Sequence, residues 1–223
     1  MEEYKIDRAE TLRYLGYRGQ EIDLETLDRL DRMTALCLST AKPKYTYERF
    51  GFEFTSGGVR LLGADVILRG GDLRAHLTGA RELYLCAATL GHDCDRLSMR
   101  LEECSIADAV VFNAASVSLI EDVSNRAQAE INESAEKRGL AVGGRYSPGY
   151  GDFPLTQQRD VLRLLRAEEL LGITLTDGCL MLPRKSVTGV IGLYEDKPDE
   201  RVSCAVCSMR DWCEFRKGGE HCG

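Results

Sequence analysis

The stretch IADAVVFNAASVSLIEDVSNRAQAEINESAEKR, residues 106–138, decides how this chain folds. Phe112, Ala115, Leu119, Val123, Ala127 and Ile131 recur at steps of three and four. That is the period of an α-helix with one apolar stripe. Val117 and Ile120 widen the stripe, and many Ala and Ser residues permit close approach by neighbours. The spacing predicts one long central packing helix, which needs other elements to cover it.

Those elements are found by moving outward. Upstream, Arg81–Thr89 is short and apolar, as a buried strand is, and Gly91 ends it. A helix is expected through Cys94–Glu103. Tyr45, Tyr47, Phe50, Phe52 and Phe54 read as a strand, Val66-Ile67-Leu68 as a short strand or one buried turn of helix that Gly70-Gly71 breaks, and Leu24–Ala41 and Ile6–Gly19 as helices, the former stopped by Pro43. Downstream, Gly139 and Gly143-Gly144 close the long helix. Asp152 and Pro154 suit the start of another helix, which runs to about Leu171 and stops at Gly172. Val187, Gly189, Ile191 and Leu193 alternate as one strand face. Strands and helices mix without regular βαβ spacing. The expected class is therefore α+β, with a mixed or antiparallel sheet packed with helices, including the long central one. The expected organisation is a helical segment over 1–42, a core over 43–198 and a cysteine-rich tail over 199–223.

Composition narrows the function. The 223 residues carry a net charge of −7, with 43% hydrophobic and 29% charged residues. Nucleic acid and anionic membranes both favour a basic face, so neither is an expected partner. The acidic start, Met1-Glu2-Glu3, is no signal peptide, and no apolar run approaches the ~20 residues of a membrane helix. A cytoplasmic protein is expected.

Two motifs flank the expected helix over 154–171. The first is Arg145-Tyr146-Ser147-Pro148-Gly149-Tyr150. Arg145 offers a planar fork of donors that fits a carboxylate. Pro148-Gly149 predicts a type II turn: proline pre-sets the first corner and glycine accepts the positive φ of the second. Such a turn can present backbone groups to an adenine edge, and the ring of Tyr150 can face a cation. A surface turn beside a solvated arginine is the other reading. The second motif is Leu175-Thr176 followed by Met181-Leu182-Pro183-Arg184-Lys185-Ser186-Val187. Glu121, on the long helix, is a candidate counter-ion for a cationic ligand, because a buried carboxylate needs a partner. Solvation, or pairing with Arg126 or Lys137, is its alternative.

These motifs, in this order with a helix between them, resemble the C-terminal activation domain of cobalamin-dependent methionine synthase across about residues 80–195. The resemblance implies an S-adenosylmethionine-binding protein that supports reductive methylation, in which cob(II)alamin returns to methylcobalamin by one electron and the sulfonium methyl group. It implies that Arg145 takes the ligand's carboxylate, that the backbone around Ser147 and Tyr150 holds the adenosine, and that Pro148 and Gly149 shape the turn. The cobalamin would sit on a methyltransferase partner in trans, with a donor such as flavodoxin or ferredoxin supplying the electron. No side chain here need act as nucleophile or general base. Two departures stand out. Gly151-Asp152-Phe153-Pro154 replaces the family's Pro-Ala-Cys-Pro-Asp-His-like run, and Val190-Ile191 replaces an aromatic pair. A noncatalytic module capping a corrinoid domain, or an electron-transfer adaptor, are the alternative functions. A Rossmann-type methyltransferase lacks its glycine-rich loop here, and a radical enzyme lacks its Cys-x3-Cys-x2-Cys loop.

The tail raises a separate expectation. Cys204, Cys207, Cys213 and Cys222 supply four thiols, enough to close a tetrahedral site, with His221 as a substitute ligand. Such crowding in a reducing compartment favours a metal over disulfides. Zinc would clip the fold and an iron–sulfur cluster would relay electrons; free thiols are the remaining reading.

Overall fold

The structure is a computed structural model and describes residues 4–196. Two N-terminal helices come first, α1 (Arg8–Tyr14) and α2 (Leu24–Thr40). Each starts on an aspartate whose carboxylate accepts a backbone N–H of the first turn: Asp7 from Glu10 and Asp23 from Thr26, both at 2.8 Å. Then follow β1 (Lys44–Thr55), β2 (Gly58–Leu61), β3 (Ile67–Leu68), α3 (Gly71–His76), β4 (Ala80–Thr89), α4 (His92–Cys104) and α5 (Ile106–Glu136). The rest comprises β5 (Ala141–Tyr146), a 3-10 turn (Leu155–Gln157), α6 (Gln158–Leu164), α7 (Ala167–Leu171), β6 (Thr174–Leu175), β7 (Met181–Leu182) and β8 (Ser186–Tyr194).

Six strands form one sheet in the order β3-β2-β1-β4-β8-β5, and β6-β7 make a separate pair. The pairings are antiparallel. Phe52 faces Leu61 between β1 and β2, and Arg145 faces Ile191 between β5 and β8. The end of β4 meets the start of β8, where the amide of Leu90 donates to the carbonyl of Lys185 at 2.9 Å. The fold is thus α+β, with α5 the long helix at 31 residues.

The chain forms two compact units. One comprises the chain up to Thr46, Ala88–Ala127 and Ala167–Val187. Its core joins Leu30, Met33 and Cys37 of α2 to Phe112, Ala115, Leu119 and Val123 of α5, with Ala88, Leu90 and Cys94. The other comprises Tyr47–Ala87, Gln128–Arg166 and the chain from Thr188. There Ile131 and Ala135 of α5 pack on Tyr84 and Cys86 of β4 and on Ile191 and Leu193 of β8. The stripe expected on α5 is therefore buried along its whole length, from Phe112 to Ile131. Its small residues let neighbours close in: Ser116 donates to the Phe112 carbonyl within the helix and sits 3.4 Å from the Cys37 sulfur.

Three local expectations change. Gly143 and Gly144 lie inside β5 rather than in a loop, and the register shifts between Val142 and Arg145. A side chain at Gly143 would collide with the Tyr194 ring, so the glycine is a bed for that ring. The helix expected from 154 to 171 is interrupted. It opens as a 3-10 turn and breaks at Arg166, whose φ of 49° is left-handed, where the chain passes from one unit to the other. Finally, α3 begins directly at Gly71, where two glycines read as a break.

Candidate ligand-binding site

Arg145 lies near the end of β5, after the Gly143-Gly144 bulge has reset its register against β8. Neighbours along a strand face opposite sides of a sheet. Arg145 and Ile191 are cross-strand partners, and Ile191 belongs to the core made with α5. Arg145 therefore points to the α5 side, and Tyr146 to the other. There Tyr146 stacks on His76 at 5.0 Å and on Phe153 at 6.3 Å, and meets the Tyr150 ring edge-on at 5.9 Å. These contacts hold the end of the strand rigid where the turn begins.

The turn has the predicted form. The amide of Tyr150 donates to the carbonyl of Ser147 at 3.1 Å, and Gly149 has φ 95°. This is a type II geometry, in which only glycine fits the second corner without strain. The loop then closes on itself. The amide of Gly149 donates to the Phe153 carbonyl at 2.8 Å, and that of Phe153 to Tyr150 at 2.9 Å. Ser147 Oγ donates to the Thr188 carbonyl on β8 at 2.7 Å, tying the turn to the sheet. Two of the turn's backbone donors are thus engaged within the loop itself, and Pro148 has none.

A second tie runs to α3. The carboxylate of Asp152 accepts from the amides of Gly71 at 2.6 Å and Asp72 at 2.9 Å. In return Asp72 accepts from the amide of Asp152 at 3.3 Å. Asp152 does not start its own helix. It caps α3, whose own N-cap position is Gly70 and offers no side chain. His76, in the last turn of α3, pairs with the Gly144 carbonyl at 3.0 Å. Burial holds its imidazole below the usual histidine range.

Burial pushes the Cys86 thiol on β4 up to about 11, and the Arg145 charge opposes that rise. Arg145 and Cys86 therefore share one patch of the sheet. Sequence reasoning missed Cys86 in this role, because a cysteine in an apolar run carries no signal of what lies two strands away.

The remaining expected residues fall elsewhere. Glu121 belongs to the other unit, on α5, where burial first and the Glu121 charge second raise the Tyr14 hydroxyl. In that unit, the second motif is built into the end of β4 and into α4. Ser186 Oγ lies 2.8 Å from Thr89 Oγ1, the Arg184 amide donates to Asp95 at 2.7 Å, and Lys185 Nζ donates to Asn113 at 2.7 Å. Cys204, Cys207, Cys213, Cys222 and His221 lie outside the described residues. Among the described residues, no group of three or more histidine, cysteine, aspartate or glutamate side chains is placed to hold a metal ion. Among them also, no helix is long and apolar enough to cross a membrane.

This sheet, long helix and turn define an α+β fold shared with a solved structure titled "Crystal Structure of the MetH Reactivation Domain bound to AdoHcy". The likeness has a TM-score of 0.66 at 17% identity and covers 96% of this chain and 82% of that one. Residues 106–201 match the family described as "Vitamin B12 dependent methionine synthase, activation domain". That match covers less than half of the chain. Among curated proteins, none matches the sequence.

Proposed function

We propose that this protein binds S-adenosylmethionine at Arg145 and the 147–150 turn, and that it supports reductive methylation of a cobalamin-dependent methyltransferase held on another chain. The observation that carries this reading is the family match over 106–201, which encloses the long helix, both motifs and β8. The local chemistry fits. Arg145 brings a bidentate carboxylate donor to the end of a fixed strand. Ser147, Pro148, Gly149 and Tyr150 form a braced turn beside it, suited to holding an adenosine against its backbone. When bound, the ligand supplies the methyl group, and the corrinoid on the partner supplies the acceptor. The residues of this chain bind and orient. The tail cysteines, as a zinc site or an iron–sulfur cluster, belong to the same proposal, with a flavodoxin- or ferredoxin-like donor as the electron source.

Calorimetric titration of S-adenosylmethionine into the full chain tests the reading, beside Arg145→Ala. Saturable binding that falls at least tenfold in the variant is expected. Equal affinity of native protein and variant would refute the placement. Binding of a corrinoid protein without methyl transfer would instead favour a capping module. Glu121→Gln, measured in the same way, tests whether that carboxylate contributes to affinity for the sulfonium.

A further inference from the structure

Gly189 sits on β8, between β4 and β5 in the sheet. Arg145 on β5 is paired directly with Ile191, so Gly189 is its diagonal neighbour two residues along, on the same face. A Cβ placed at Gly189 would lie 2.9 Å from Arg145 Cδ and closer still to Arg145 Cγ. It would also touch the Cys86 sulfur at 3.4 Å. The methylene stem of Arg145 therefore lies across β8 at the level of Gly189, running from β5 toward β4. Real Cβ atoms are essentially never found under 3.0 Å from a neighbour, so the two arrangements exclude each other.

We propose that Gly189 is a positioning residue of this site: its absent side chain is the notch in which the Arg145 stem lies flat, which aims the guanidinium across the sheet toward Cys86 on β4. The inference rests on the S-adenosylmethionine reading for its ligand, but the notch is a property of the chain alone. A long arginine stem loses rotamer freedom when it is fixed. The sheet fixes it in advance by burying the methylenes on the backbone of β8, so less freedom remains to be lost when a carboxylate arrives. The arrangement also places the ligand's carboxylate over the β8–β4 side of the motif, away from the Tyr146 aromatic stack on the opposite face.

The test is Gly189→Ala, alone and combined with Arg145→Ala, in the full chain. Three measurements apply. In the first, S-adenosylhomocysteine should bind Gly189→Ala at least tenfold more weakly. Methylthioadenosine, which lacks the amino-acid part, should bind within twofold of native, and equal weakening of both ligands would overturn the notch. In the second, the melting temperature should fall in Gly189→Ala and recover in the double variant, where the clashing stem is gone. A double variant as destabilised as the single one would overturn the proposal, even if the single variant folds poorly. In the third, the Arg145 Nε–Hε resonance of ligand-free protein, assigned by its loss in Arg145→Ala, should shift in Gly189→Ala. An unmoved resonance would overturn the proposal. The last two arms decide the notch without any ligand. If native protein binds no S-adenosylhomocysteine, the functional reading fails and the notch is still judged.

Discussion

Replacing Asp152 by alanine should loosen the loop that carries the Arg145 motif. Asp152 accepts two backbone N–H groups at the start of α3, at 2.6 and 2.9 Å, and no local side chain offers a substitute. Removing an aspartate cap costs about 1–2 kcal/mol. The upper half of that range applies, since both donors are charge-assisted and the return bond from the Asp152 amide to Asp72 loses its geometry with them. For a chain of this size, 1 kcal/mol moves the melting temperature by about 2–4 °C, so a fall of roughly 3–8 °C is expected. Asp152→Asn keeps one acceptor and should lose about half as much. Scanning calorimetry measures the shift, and hydrogen exchange at the Gly71 and Asp72 amides localises it. A melting temperature within about 1 °C of native, with unchanged exchange at those amides, would refute the claim that α3 is capped from the loop.

Four further outcomes are expected. His76 has its folded-state pKa held below 6.5 by burial, so the unfolded chain binds the proton more readily. Its contribution to stability is present above 6.5 and is lost as pH falls through the lower folded value. His76→Gln should flatten that slope in urea unfolding at a series of pH values; an unchanged slope would discard the assignment. Cys86, buried and raised to about 11, should resist iodoacetamide at pH 8 in native protein, while exposed Cys104 is alkylated. Peptide mass spectrometry reads both, and early labelling of Cys86 would contradict its burial. Gly149→Ala forces a Cβ into φ 95° and should cost about 1–2 kcal/mol; a melting temperature equal to native would show that the turn relaxes freely. Metal analysis of protein purified without oxygen should find zinc or iron bound, and lost in Cys204→Ser/Cys207→Ser. A metal-free native protein would end that expectation.

What the sequence disclosed was whatever is written in consecutive residues. The stripe of α5 from Phe112 to Ile131, the alternation of β8 and the Pro148-Gly149 turn each depend on neighbours in the chain, and each is found in place. The features that escaped depend on distant partners. Gly143 and Gly144 read as a break, because nothing nearby shows that the Tyr194 ring will lie on Gly143 within β5. Gly70-Gly71 read as a break, because the cap of α3 comes from Asp152, 80 residues away. The interruption at Arg166 carries no glycine or asparagine to announce it. The candidate site divides in the same way. Arg145 and its turn were legible from chemistry and motif, while Gly189 and Cys86 join them only through the order of the strands.

One edge of the sheet closes without another strand. β3 pairs with β2 on one side, and on its open side the side-chain amide of Gln157 accepts from the Arg69 amide at 2.5 Å and donates to the Ile67 carbonyl at 2.8 Å. A single buried glutamine thus imitates one rung of a neighbouring strand. Exposed edges invite other chains to add themselves and so seed aggregates. Here the two backbone groups that would greet such a chain are already taken, so Gln157 acts as a terminator that guards this edge against self-association.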